Sequence, residues 1–292
     1  MALLTKVKAR MAIHAHRKVR GLLEGSYASV QLGRSMDFFD LREYVAGDEV
    51  ADIDWKASAR RGEILVKRFV ADRKHTILLV VSTSRTMAGM CDTQTSKRDV
   101  AVFAAGILGW LAVRHADWVT LVHGNAAGQQ WLRPTTREDA LERMLQAIWS
   151  GCTADAPAPD LAGLLAYVVK VVKRQAILVV IADDVDLDDA ALAQLRRLRA
   201  QHEVLFMTVG DLDPTDPALA ASALVDVGSG QAWPSYLRSP ALHAEVVEER
   251  KTRHARRTEA LDRLGIAGEH ITDEADVIRS IFALLERHRH GG

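Results

Sequence analysis

From residue 75 onward, short runs of apolar and mostly β-branched residues alternate with segments whose apolar positions recur every three to four residues. That rhythm predicts parallel strands joined by crossover helices: an α/β fold with a Rossmann-like, doubly wound, mostly parallel sheet. The predicted strands are Thr76–Val81, Trp118–His123, Ala176–Ile181, Val204–Val209 and Leu224–Val227, nearly continuous in apolar character as strands covered on both faces must be. Gln130–Arg133 reads as a weaker edge strand. Leu141, Met144, Leu145, Ile148 and Trp149 fall at helical spacing, as do Leu161, Leu164, Leu165, Val168, Val169 and Val172. Thr135 and Glu138 have the spacing of a capping box, and Asp273 is placed to cap a last helix carrying Val277, Ile278, Ile281, Phe282 and Leu285. The greasiest stretch, Val100–Val113, falls short of the roughly 20 residues that cross a bilayer and reads as a buried helix between Asp99 and Arg114. Ala154–Pro159, Asp211–Pro217 and Gly228–Pro240 read as loops.

Residues 1–74 do not share this rhythm. A basic, helical start carrying Lys6, Lys8, Arg10, Arg17, Lys18 and Arg20 leads into Gly25–Val70, rich in glycine, aspartate, arginine and aromatics. The expected division is therefore an N-terminal module over 1–74 and an α/β domain over 75–292. Lys plus Arg equals Asp plus Glu at 38 each, so no global field draws the molecule to nucleic acid or anionic lipid. The densest basic run, Arg250, Lys251, Arg253, His254, Arg256 and Arg257, is flanked by Glu245, Glu248, Glu249 and Glu259 and reads as a solvated helix face. Two cysteines, Cys91 and Cys152, make no disulfide framework, and no apolar run follows the basic start. Together these point to a cytoplasmic protein with no membrane span and no nucleic-acid partner.

One segment is unusual enough to identify. Asp37-Phe-Phe-Asp-Leu-Arg-Glu-Tyr-Val-Ala-Gly-Asp48 continues to Ile53-Asp-Trp-Lys-Ala-Ser-Ala-Arg60 and then Val66-Lys-Arg-Phe69. It resembles the bacterial family catalogued as domain of unknown function 58, in which such an acidic-aromatic segment precedes a von Willebrand factor type A domain. Physically it offers Arg42, Glu43, Asp48, Asp54, Arg60 and Lys67 beside Tyr44 and Trp55. Two roles are open. The charges could pair internally and dock the module onto the α/β domain, since partly buried charges need partners. Alternatively Arg42, Glu43, Tyr44, Asp48, Asp54, Trp55 and Arg60 form a surface for a protein partner.

The resemblance also implies a metal-ion-dependent adhesion site at the carboxyl ends of the strands, where hard oxygens would hold Mg2+ and a partner's carboxylate would complete the shell. Its first loop reads Ser82-Thr-Ser84-Arg-Thr86, so Ser84 and Thr86 supply hydroxyls while Ser82 stands where the family's aspartate is expected. Thr153 matches the threonine position and Asp183 the second aspartate, with Asp184 and Asp186 nearby. Losing a unit charge weakens such a site. The competing reading gives Ser82, Ser84 and Thr86 to loop hydrogen bonds and Asp183 to a helix cap.

No Walker loop, Gly-x-Gly-x-x-Gly turn, His-Glu-x-x-His or Gly-x-Ser-x-Gly elbow is present. The expectation is a non-enzymatic binding or adaptor protein acting through the sheet's carboxyl edge. Members of the family are commonly encoded beside MoxR-type AAA+ ATPases, which makes such an ATPase the implied partner. The alternative from another class is a divalent-metal-dependent enzyme or sensor in which Asp183, Asp184 and Asp186 hold the ion.

Overall fold

The computed structural model describes residues 2–14, 37–45, 48, 50–70, 74–219, 221–234 and 239–291. Arg17, Lys18, Arg20 and the start of the glycine-rich stretch lie outside them.

In chain order the elements are α1 (Leu3–His14), β1 (Asp37–Glu43), α2 (Trp55–Arg61), β2 (Leu65–Val70), β3 (Thr76–Ser82), α3 (Lys97–Arg114), β4 (Trp118–Asn125), β5 (Gly128–Thr135), α4 (Glu138–Gly151), α5 (Leu161–Val171), β6 (Ile177–Asp183), α6 (Asp189–Gln201), β7 (Glu203–Val209), α7 (Pro240–Arg263), β8 (Ala267–Ile271) and α8 (Val277–Gly291). β1 and β2 form an antiparallel pair of their own. The other six strands run β5-β4-β3-β6-β7-β8, all neighbours parallel except β4 with β5. Numbered within the sheet, that order is 3-2-1-4-5-6, the doubly wound arrangement, which reverses between β3 and β6 and opens a crevice at their carboxyl ends. The mostly parallel α/β sheet expected from the sequence is therefore present.

Alternate residues of each central strand feed opposite cores, because successive side chains leave a strand on opposite faces. Leu79, Val81, Leu121, Val179 and Met207 pack under α3, α4 and α8. Leu78, Val80, Val122, Val180 and Phe206 pack under α5, α6 and α7. α3 is buried nearly all round, so its apolar run shows no clean stripe. Its two inner glycines set helix spacing: a Cβ on Gly106 would sit 2.7 Å from the Val7 side chain, and one on Gly109 would sit 2.5 Å from Leu141.

Through Val7, with Leu4 and Met11, α1 joins the core of the six-stranded domain although it precedes the two-stranded module in the chain. The Glu142 carboxylate of α4 accepts from the Leu3 and Leu4 amides at 2.9 and 2.7 Å, so a neighbouring helix satisfies the first donors of α1.

Three local expectations are corrected. Leu224–Val227 is not a strand. Val225 makes only an isolated bridge to Ala232, and the sixth strand is β8, whose Glu269 and His270 interrupt the apolar run that marks the central strands. Thr135 builds no capping box; its hydroxyl accepts from the Arg137 amide at 3.1 Å, and α4 begins without a side-chain cap. Asp273 accepts from Asp276 N at 2.7 Å, fixing the turn that leads into α8.

Candidate functional site

β3, β6 and β7 are neighbours in the sheet, so the residues just past their carboxyl ends converge. Past β3 the hydroxyls of Ser82, Ser84 and Thr86 form a chain, 3.3 Å from Ser82 to Ser84 and 3.0 Å from Ser84 to Thr86. β6 ends on Asp183, and Asp211 follows β7 by two residues. Between the two carboxylates lies the ammonium of Lys97, 2.5 Å from Asp183 Oδ1 and hydrogen-bonded to Asp211.

Lys97 is the first residue of α3, directly after the cap Ser96, whose hydroxyl accepts from Asp99 N. A cation is out of place at a helix N-terminus, where the backbone presents partial positive charge. Its location is set instead by Asp183 and Asp211. Lys97 is 2% exposed and the Asp183 side chain 6%, whereas Asp211 is 42% exposed. Burial works against an ammonium here, but the charges of Asp183 and Asp211 outweigh it and lift the Lys97 pKa above its ordinary value. Burial also raises Asp211; Lys97 opposes that shift, and Asp183 and Asp184 add to it. So many carboxylates crowd this edge that a cation must stand among them.

These residues do not fit a divalent ion. The position of the first aspartate holds Ser82, and the carboxylate of Asp183 is already spent on an internal ammonium. Among the described residues no group of three His, Cys, Asp or Glu side chains is arranged to hold a metal. Thr153 is exposed, on a loop whose Pro157 and Ala156 carbonyls receive Arg85 from the β3 loop. Asp186 is exposed as well, and no described bond brings it or Thr153 to Lys97. Asp183 does not cap the following helix; Asp188 does, accepting from Ala191 N at 2.7 Å. The loop hydrogen bonds expected for Ser82, Ser84 and Thr86 are present.

Sequence reasoning missed Lys97 and Asp211, and it misread the basic run. Arg250, Arg253 and Arg257 recur at i, i+3 and i+7 and so share one face of α7. That face turns inward. Arg250 donates to the Asp211 and Leu212 carbonyls at 2.7 and 2.9 Å. Arg257, 4% exposed, donates to Asp184 Oδ1 at 2.5 Å. Burial would raise Asp184, yet Arg257 and His270 outweigh it and hold the carboxyl below its ordinary range. Nδ1 of His270 lies 2.9 Å from the Thr208 hydroxyl and receives Arg257 Nη2 at 3.3 Å. Burial pushes His270 down to about 4, against the pull of Asp184 and with the help of Arg257. Lys251 and Arg256 on the other face are exposed, as a solvated face requires.

The motif residues of the N-terminal module mostly hold the module itself together. Arg42 forks onto Asp48 at 2.6 and 2.7 Å, and Asp48 also accepts from Val45 N at 2.9 Å. The Arg42 bond, then that amide, hold the Asp48 carboxyl below its ordinary range. Asp54 caps α2 by accepting from Lys56 N and Ala57 N, and Gly62 ends the helix in the left-handed region at φ 77°. The Ser58 hydroxyl donates to Asp54 O and accepts from Leu65 N, tying α2 to β2. These bonds are internal to the module rather than a dock onto the larger domain. Glu43 and Arg60 are exposed, and so are the apolar side chains Tyr44 (38%), Trp55 (63%), Val45, Val50 and Ile64. Cys91 and Cys152 are buried, and burial pushes both thiols up to about 12.

In curated sequences the chain is similar to the uncharacterized protein Rv1480 of Mycobacterium tuberculosis H37Rv, 29% identical over 223 residues, covering 73% of this chain and 68% of that one. Among solved structures it is similar to a von Willebrand factor type A protein from Catenulispora acidiphila, with a TM-score of 0.43 and 11% identity, covering 76% of this chain but only 43% of that one. It is also similar to the conserved hypothetical protein BatB from Bacteroides thetaiotaomicron, with a TM-score of 0.45 and 13% identity, covering 73% of this chain and 98% of that one. No helix among the described residues is long and apolar enough to cross a membrane. The sequence model of the proteins of unknown function DUF58 matches residues 40–253, from the Arg42–Asp48 clamp through Lys97 and Asp183 to Arg250, and the chain belongs to that family.

Proposed function

We propose that this chain is a non-enzymatic adaptor that binds a protein partner, with the motif module as its principal contact and the carboxyl edge of the six-stranded sheet as the surface beside which it works. The observation that carries this reading is the exposure of Trp55, Tyr44, Val45, Val50 and Ile64 on a module held in shape by its own polar residues. Exposed aromatic side chains on a pre-ordered support are what interface anchors require: large area at little ordering cost. The backbone makes them neighbours, since Tyr44 N donates to Ile64 O and Asp54 N, next to Trp55, donates to Leu65 O.

The partner class proposed is a MoxR-type AAA+ ATPase, supported by the family's usual gene neighbourhood. The partner complex would not depend on metal, because the edge carries its own cation at Lys97. A divalent-metal enzyme or sensor built on Asp183, Asp184 and Asp186 is disfavoured, because Lys97 and Arg257 already neutralise the first two and Asp186 stands apart, exposed.

The test is capture of a purified MoxR-type AAA+ ATPase by the purified chain. Trp55→Ala with Tyr44→Ala should abolish capture, and Thr153→Arg with Asp186→Arg, exposed positions at the edge, reports whether the edge contributes. Full capture by all four substitutions together would sink both surfaces.

A further inference from the structure

The strand ends of the six-stranded sheet carry a cluster of carboxylates, and a lysine of the same chain stands between two of them. We propose that the Lys97 ammonium is a tethered resident cation: it fills the place of a divalent ion between Asp183 and Asp211, closes the site to metal, and leaves a latent divalent-cation site that its removal would open. The proposal concerns the site's own chemistry and stands whether or not a partner binds nearby.

Four observations converge on it. Lys97 is among the largest fully buried side chains in the molecule, yet it carries a charge, which is uncommon unless that charge is paired on the spot. The side chain starts at the first turn of α3 and ends beyond β6 and β7, so two separate loops contribute its partners. Ser82 stands where the aspartate of a metal-binding loop would be, and its hydroxyl is spent on Ser84. Finally, the neighbouring charges are also matched, Asp184 by Arg257, with Arg250 on the carbonyls of the Asp211 loop. A divalent ion at this edge would have to compete with Lys97 for Asp183 and Asp211 and with Arg257 for Asp184. Hard cations are selected by ligand charge and number, so the site as it stands offers neither.

Loss of the ammonium changes that balance. Asp183 and Asp211 would then flank the space left by the missing side-chain end, two carboxylates short of positive charge. That combination suits Mg2+ or Mn2+ with retained waters.

The experiment compares wild type, Lys97→Ala and Lys97→Gln by thermal unfolding and isothermal calorimetry, with and without Mg2+ or Mn2+ up to several millimolar. The expected result is a wild type whose Tm and heats do not respond to either ion. The two variants should be less stable in chelator, and their Tm should climb with Mn2+ concentration; if they do not fold in chelator, Mn2+ should recover folded protein. Wild type that binds either ion with measurable heat overturns the proposal. So does a pair of variants in which metal neither raises Tm nor restores folding, or a Lys97→Gln of wild-type stability in chelator, since no cation would then be needed at that place.

Discussion

The two ends of this molecule use the same residue types for opposite ends. At the carboxyl edge, Lys97, Asp183, Arg257 and Asp184 leave water and pair in the interior of the site, with the half-exposed Asp211 as the outer partner of Lys97. In the motif module, arginine and aspartate stay near solvent and brace a small support, Arg42 on Asp48, while Tyr44, Val45, Val50, Trp55 and Ile64 face out. The inversion teaches what each region is for. Buried ion pairs repay their desolvation only when every member is present, so the edge is organised to be complete and closed. The module is braced by its own polar residues and leaves Trp55 in solvent, the arrangement on which the proposed partner contact rests.

The sharpest way to break the comparison is Lys97→Met. Removing one member of a buried pair leaves its partners uncompensated, and the expected loss is about 3–5 kcal/mol of unfolding free energy, read from urea titrations. A loss below about 1 kcal/mol would mean the edge is as loosely held as an exposed pair.

Acid should act on the edge next. His270 titrates at about 4 in the folded chain against 6.5 when unfolded. A depressed folded pKa gives stability that is whole above pH 6.5 and lost as pH falls toward about 4. The full gap corresponds to about 3 kcal/mol. Urea midpoints at pH 7 and pH 4.5 should therefore differ more in wild type than in His270→Gln, and equal slopes in the two proteins would remove His270 as the cause.

In the module the effects are smaller. Asp54→Ala takes the cap from α2 and should cost about 1 kcal/mol, seen as faster amide exchange at Lys56 and Ala57 with the sheet unaffected. Trp55→Ala should change stability by less than about 0.5 kcal/mol while removing partner capture, since an exposed side chain away from caps and cores contributes little to folding. A large loss of stability from Trp55→Ala would instead place that indole in a core.

Much of the fold was legible because the central strands are buried on both faces, and buried parallel strands announce themselves as unbroken apolar runs. β8 escaped because it lies at the sheet's edge, where Glu269 and His270 are tolerated. Leu224–Val227 imitated a strand in composition while its Val225 stays 60% exposed. At the site, the substitution at Ser82 was visible, yet its counterpart was not. Lys97 sits 86 residues from Asp183, and nothing local links them. One sign was available: a lysine at the first turn of a helix, the wrong end for a cation, is held there by something distant. The inward face of α7 was equally present in the i, i+3, i+7 spacing of Arg250, Arg253 and Arg257, but charge alone suggested solvent.

The position of α1 gives the module a mechanical character. The chain leaves the large domain after α1, builds the module, and re-enters at β3, so the module is a handle fixed at both ends rather than a tail. One attachment is a helix clamped by Glu142; the other is a strand bonded on both sides, to β4 and to β6. Neither attachment can give way alone without cost: releasing α1 breaks core contacts, and releasing β3 breaks two ladders of the sheet at once.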